Sequence, residues 1–292
     1  MKKIIAIAAL TAGLTAAACV FGEFSSFDWP QKETAADSFY SYFGQLRGGT
    51  ISTSLIFNDI SDIKSVQKGK ILLTMREHSN DFGRFESTLG NALLISHEDS
   101  LMGIYGNLDE DTLEKNLPDT IESGTYLGKS GNSGWQDGLS CLEFQVLDIK
   151  NSSAVNPRIP MPRTGTELPL YATNITIQDE KGIYHNPLTE KRLPSGTYSI
   201  YKDRQKTAVP AKTTVSVNGA AVEHIQFETL NEINGKLCTS GDKSYSVEEL
   251  YPDDKKELLA RIPLTPGKNS IGITISNILK ESKSYYFTLD IY

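Results

Sequence analysis

Cys141 and Glu143 stand two residues apart in the strand-prone run Cys141-Leu142-Glu143-Phe144-Gln145-Val146. Alternation along a strand puts both side chains on one face, so a thiol and a carboxylate would share one place. A thiolate can attack a carbonyl, and a carboxylate can take a proton or hold a metal. Each needs partners. A cysteine nucleophile needs a nearby base, and a catalytic zinc needs three protein donors and one open position. The sequence holds four histidines, His78, His97, His185 and His224. His97 is the nearest by sequence, so a metal site of Glu143, Cys141 and His97 is one reading. The other is that the histidines lie at surfaces and strand ends and that Cys141 fills core space. Asn107, in Tyr105-Gly106-Asn107-Leu108, can donate and accept hydrogen bonds but cannot act as a general acid or base near pH 7. The glycines of residues 128–134 are not followed by Lys-Ser/Thr or by a helix start, which favours turns over a phosphate loop.

The elements around these residues read as β. Residues 93–96 and 101–105 are strand-like, and Lys68-Gly69 supplies a turn before a strand at 70–74. Residues 109–116 carry acids early and a lysine late, which predicts one short helix. Pro157, Pro160 and Pro162 predict a stiff linker. Beyond it, short alternating runs are separated by Pro194-Ser195-Gly196, Asn218-Gly219, Asn234-Gly235 and Pro266-Gly267. Asn-Gly between two β runs is a strong hairpin signal, and this spacing predicts an immunoglobulin-like β-sandwich. Only residues 247–260 hint at helix.

The 292 residues suffice for two domains. A net charge of −7 without a basic cluster argues against nucleic acid and against an anionic membrane surface. Lys2-Lys3 followed by the apolar or small residues 4–18 reads as a signal peptide, too short and Ala-rich to span a bilayer. Ala16-Ala17-Ala18 before Cys19 is both an A-x-A cleavage site and a relaxed lipobox, so Cys19 is the expected lipidation site of an exported protein, with simple secretion as the alternative. Cys141 and Cys238 have no spacing that asks for a disulfide and read as buried thiols.

Taken together, residues 43–49 (Phe-Gly-Gln-Leu-Arg-Gly-Gly), Tyr105-Gly106-Asn107-Leu108, the Gly-Lys-Ser-Gly-Asn-Ser-Gly loop at 128–134, Leu142-Glu143-Phe144-Gln145-Val146 and Asn156-Pro157-Arg158 resemble the core of the LytM/lysostaphin-type zinc endopeptidases that cut peptidoglycan cross-bridges. The resemblance covers residues 42–162. It implies a mostly β fold, with an N-terminal LytM-like antiparallel domain (the duplicated hybrid motif) at 42–162 and the sandwich at 163–292, preceded by the signal peptide at 1–18 and a segment at 19–41. In the family, the zinc ligands are the His and Asp of H-x-G-x-D and the second His of H-x-H. Those positions fall here on Ser52, Ile56 and Glu143, and the two catalytic histidines fall on Asn107 and Cys141. The scaffold matches and the chemical residues do not.

The resemblance therefore implies a non-catalytic envelope protein without zinc. Its groove, with Asn107 and Glu143 as binding candidates, would take peptidoglycan or regulate a cell-wall amidase. The expected place is the periplasm or cell envelope, with membrane contact only through a lipid at Cys19. The alternatives are an active zinc endopeptidase with an unusual site and an envelope scaffold acting through the C-terminal sandwich.

Overall fold

A computed structural model describes residues 26–32, 36–76, 87–136 and 138–292. The signal peptide, Cys19 and His78 lie outside the described residues. Strands dominate, as alternating and β-branched sequence requires. Those that matter here are β1 (Phe39–Ser41), β2 (Ser54–Phe57), β3 (Gly69–Met75), β4 (Ala92–Ser96), β5 (Leu101–Gly106), β6 (Glu143–Asp148) and β7 (Ser153–Val155). The C-terminal half adds β8 (Gly196–Asp203), β9 (Lys212–Val217), β10 (Ala220–Ile233), β11 (Lys236–Gly241), β12 (Lys256–Leu264), β13 (Gly267–Ser276) and β14 (Ser282–Ile291).

The N-terminal half is an antiparallel sheet in the order β3-β4-β5-β6. Its other edge is shared. Residues Glu143 to Gln145 of β6 pair with β2, and Val146 to Asp148 pair with β7. Leu93, Ile95, Tyr105, Phe144 and Val146 fill one core with Phe57, Leu127 and Leu142. The aromatic segment at residues 26–32 packs on that same core. Phe27 is fully buried, Trp29 stacks on Phe39, and backbone bonds tie Asp28 to Val66 and Lys64 to Pro30.

The C-terminal half places β9, β10, β11, β13 and β14 opposite a second sheet built on β8 and β12, an antiparallel β-sandwich in outline. The Asn218-Gly219 hairpin forms as predicted, and the turn at Asn234-Gly235 is a hairpin as well. Asn218 and Gly219 join β9 to β10, Asn234 and Gly235 join β10 to β11, and all four take positive φ. Only a turn of that hand matches the twist of the flanking strands.

Three expectations are corrected. Residues 109–116 form turns, not a helix: Asp109 accepts the N–H of Thr112 and Leu113 is buried in the core. Within 247–260 the helix is the single turn Val247–Leu250, after which the chain enters β12. The proline-rich stretch, expected as a stiff linker, is packed into the first half. Met161 is buried, Pro160 accepts the N–H of Phe27, Pro162 accepts the indole N–H of Trp29, and the Arg158 guanidinium grips both oxygens of Glu167.

The two halves also share a sheet. β7 pairs with β10, Ser153 to Asn231 through Val155 to Thr229, so the hydrogen-bonded ladder runs unbroken from one half into the other. A core of its own lies at this seam. Phe43, Ile51 and Ala154 from the first half pack with Phe227, Leu230, Tyr245 and Tyr251 from the second, and Tyr251 donates its hydroxyl to Gly44 O at 2.6 Å.

Candidate functional site

Glu143 opens β6 with Ile56 of β2 on one side and Gly106 of β5 on the other. The sheet therefore sets Ile56 directly beside Glu143. In front of Glu143 lies a groove of about 400 Å³. Its lining includes Ser52, Thr53 and Ser54 leading into β2, Arg47 and Thr50 of the small hairpin before them, Thr88, Trp135, and Leu237 of β11. No residue of the segment at 26–32 lines it.

Glu143 is 6% exposed, and its carboxylate is fully engaged. Arg47 Nη1 donates to Oε2 at 3.3 Å, Gln136 Nε2 donates to Oε2 at 2.5 Å, and Gln145 Nε2 donates to Oε1 at 3.3 Å. Arg47 also donates to the carbonyl of Trp135 at 3.2 Å. A buried carboxylate with this many donors is held in one place. Ser52 shares a hydrogen bond with the hydroxyl of Ser54 at 3.3 Å. Ile56 is fully buried and aliphatic.

Asn107 occupies another role than the one expected of it. It takes a left-handed backbone conformation, φ 61°, which asparagine tolerates better than most residues. Its side chain is fully buried. The amide nitrogen reaches the carbonyls of Gly131 and Cys141, both at 2.7 Å, and its oxygen accepts the N–H of Gly134 at 2.8 Å. Asn107 thus clamps the glycine loop to the start of β6 and presents nothing to the groove. Asn107→Ala would leave several buried backbone groups unpaired and is expected to destabilise the protein by about 2–4 kcal/mol. Urea denaturation checks this. A loss under about 0.5 kcal/mol, the scale of a neutral surface change, would refute the clamp.

Cys141 lies behind the groove and does not line it. It is fully buried, with Asn107 Nδ2 3.6 Å from its sulfur. Burial pushes the thiol pKa up to about 11, so almost none is thiolate near neutral pH. β6 begins at Glu143, so the alternation that set Cys141 beside Glu143 does not extend back to it. Cys238 is likewise a buried free thiol.

His97 follows β4 at the far end of β5. About five residues of strand, ~16 Å at strand spacing, separate its level from that of Glu143. Burial lowers its pKa, Nδ1 lies 3.1 Å from Lys68 O, and its ring meets the edge of Phe27. Gly69 and Gly103 flank it so closely that a Cβ on either would touch the imidazole. The site of Glu143, Cys141 and His97 is therefore not assembled. His185 pairs with Asp179 and Glu190, and His224 with Asp242, all in the C-terminal half. Among the described residues no three His, Cys, Asp or Glu side chains are grouped to hold a metal.

The family model "Peptidase family M23" matches residues 53–157. A second model, which carries no description, matches residues 169–292. An uncharacterized protein of Treponema pallidum (strain Nichols) is 30% identical over 124 residues, covering 39% of this chain and 82% of that protein. The chain therefore carries an M23-like domain over residues 53–157. Among solved M23 structures, a catalytic-domain mutant of the prophage-encoded protein EnpA from Enterococcus faecalis is 21% identical with a TM-score of 0.33, covering 41% of this chain and 87% of that one. The catalytic domain of lysostaphin from Staphylococcus simulans is 21% identical with a TM-score of 0.32, covering 43% and 96%. M23 proteins are typically secreted enzymes that act on peptidoglycan.

The zinc of M23 peptidases does not fit the residues present here. Ile56 has no lone pair, the hydroxyl of Ser52 is turned to Ser54, and Glu143 is committed to Arg47 and Gln136. A positive guanidinium stands 3.3 Å from the remaining carboxylate, where it repels a second cation and supplies the counter-charge itself. Arg47, Gln136 and Trp135 were missed as site residues. Arg47 stands in the lead-in motif at 43–49, but nothing in the sequence announces that it closes on a residue 96 positions later.

Proposed function

We propose that this M23-like protein is non-catalytic and binds peptidoglycan through its groove. The observation that carries the reading is the Arg47–Glu143 pair, seated where the family's metal site is expected and neutralising it from within the chain. Amide hydrolysis by this family's chemistry needs a metal-activated water and a proton-transfer group. The positions that would supply them hold a buried amide, Asn107, and a buried protonated thiol, Cys141. The open groove, its floor of hydroxyls and its ordered charges remain suited to binding.

Lys2-Lys3, the apolar run and Ala18-Cys19 support export to the periplasm or cell envelope, with lipidation at Cys19. Among the described residues no helix is long and apolar enough to cross a membrane.

Zinc content and hydrolysis test the proposal together. Protein dialysed against zinc and then freed of unbound ion is expected to retain far less than one zinc per chain and to leave cross-linked muropeptides uncut. Stoichiometric zinc with chelator-sensitive cleavage would overturn it.

A further inference from the structure

The groove has one large exposed ring. Trp135 is 61% exposed, yet its backbone is fixed on two sides: its N–H donates to Thr88 O at 3.0 Å and its carbonyl accepts from Arg47 at 3.2 Å. The next residue, Gln136, is fully buried and bonded to Glu143. The residue before it, Gly134, is held by Asn107. An indole on an anchored loop loses little freedom when a ligand covers it.

The rest of the wall is of a different kind. Thr50, Thr53, Ser54 and Thr88 bring hydroxyls, each both donor and acceptor. Arg47 and Glu143 cancel in charge, so the floor demands neither an anion nor a cation. β2, the strand running up from the groove, pairs with β6 from Ser54 to Ile56 and with β1 at Ile56 and Phe57. One edge is taken by β6 and the other in part by β1, which limits where an extended peptide could add a strand, the usual source of backbone affinity for such ligands.

A neutral ring carrying many hydroxyls, with one apolar face of C–H bonds, matches this set. The slightly positive C–H face of a pyranose lies well on the negative face of an indole, and its hydroxyls meet those of the threonines and the guanidinium of Arg47. We propose that the groove recognises the sugar strand of the cell wall rather than its peptide, with Trp135 as the stacking platform and Leu237 of β11 closing the opposite side. This inference rests on the groove-binding reading above and narrows its ligand.

The test titrates the full-length protein with two probes by calorimetry. One is wall glycan stripped of its peptides by an amidase; the other is the free stem peptides. Glycan binding that weakens about tenfold or more in Trp135→Ala, with folding verified by circular dichroism, is the expected result. Peptides binding while glycan does not would overturn the sugar assignment and leave groove binding standing. Binding of neither probe would overturn both. Glycan binding unchanged in Trp135→Ala and in a Thr50→Trp variant, which fills the groove, would place the glycan elsewhere and overturn the assignment.

Discussion

Lys202→Met is expected to destabilise the protein by about 3–5 kcal/mol, the range for removing one partner of a buried ion pair. Lys202 on β8 and Glu257 on β12 face each other across the ladder. Their charged atoms lie 2.5 Å apart, with the lysine side chain 0% and the glutamate 4% exposed. Methionine keeps the length of the chain and removes the charge. The carboxylate of Glu257 is then left in the sandwich with no counter-ion and no access to water, where an ionised group is most penalised. The double variant Lys202→Met/Glu257→Leu should recover most of that loss, because exchanging both partners for apolar groups of similar size is often neutral or better. Urea titration of the wild type and the three variants reads the coupling. A double variant no more stable than the worse single one would contradict this account of the pair.

Phe227→Ala is expected to lower stability by about 3–5 kcal/mol, the usual range for emptying a buried aromatic site, and to lower it for the whole molecule at once. Phe227 sits on β10 in the seam core with Phe43, Ile51 and Ala154. A Cβ built on Gly44, in the other half, would come within 2.8 Å of its ring. β7 and β10 carry the sheet across the same place. Two halves that share a ladder and a core should melt together. Near-ultraviolet circular dichroism, together with fluorescence from Trp29 and Trp135, both in the first half, should therefore report one transition, shifted as a unit in the variant. Separate transitions for the two halves, with only one moved, would show that the seam does not couple them.

Much of this architecture is legible from residue types. The β4–β5 pair and both Asn-Gly hairpins follow from alternation and from residues that accept positive φ. The missing donor at position 56 is legible too, since an isoleucine has no lone pair to offer in any fold. What escapes is what depends on partners distant in sequence. Residues 109–116 have the charge order of a helix, yet Leu113 is drawn into the core and Asp109 bonds the backbone as a turn. Proline spacing suggests a linker, but nothing local reports that Met161 is buried or that Arg158 finds Glu167. The joining of β7 to β10 has no signature beyond two ordinary strands. Asn107 is placed by analogy at a groove, whereas its hydrogen bonds make it a clamp, and burial makes Cys141 the core filler its residue type allows.

The same distant contacts give the groove its character. Arg47 comes from the hairpin before β2, Gln136 from the loop before β6, and Leu237 from the C-terminal half, so the binding surface is a product of the joined sheet. At this point of the sheet a guanidinium and a carboxamide close on Glu143 and keep it ordered.

Co-sedimentation with purified peptidoglycan tests the central claim most directly. The wild type should pellet with the sacculi in the presence of chelator. Glu143→Lys, which sets two cations against each other in the groove floor, and Thr50→Trp, which fills the groove from its exposed lip, should both remain largely in the supernatant while keeping the wild-type circular dichroism spectrum. Wild-type pelleting by both folded variants would contradict the account.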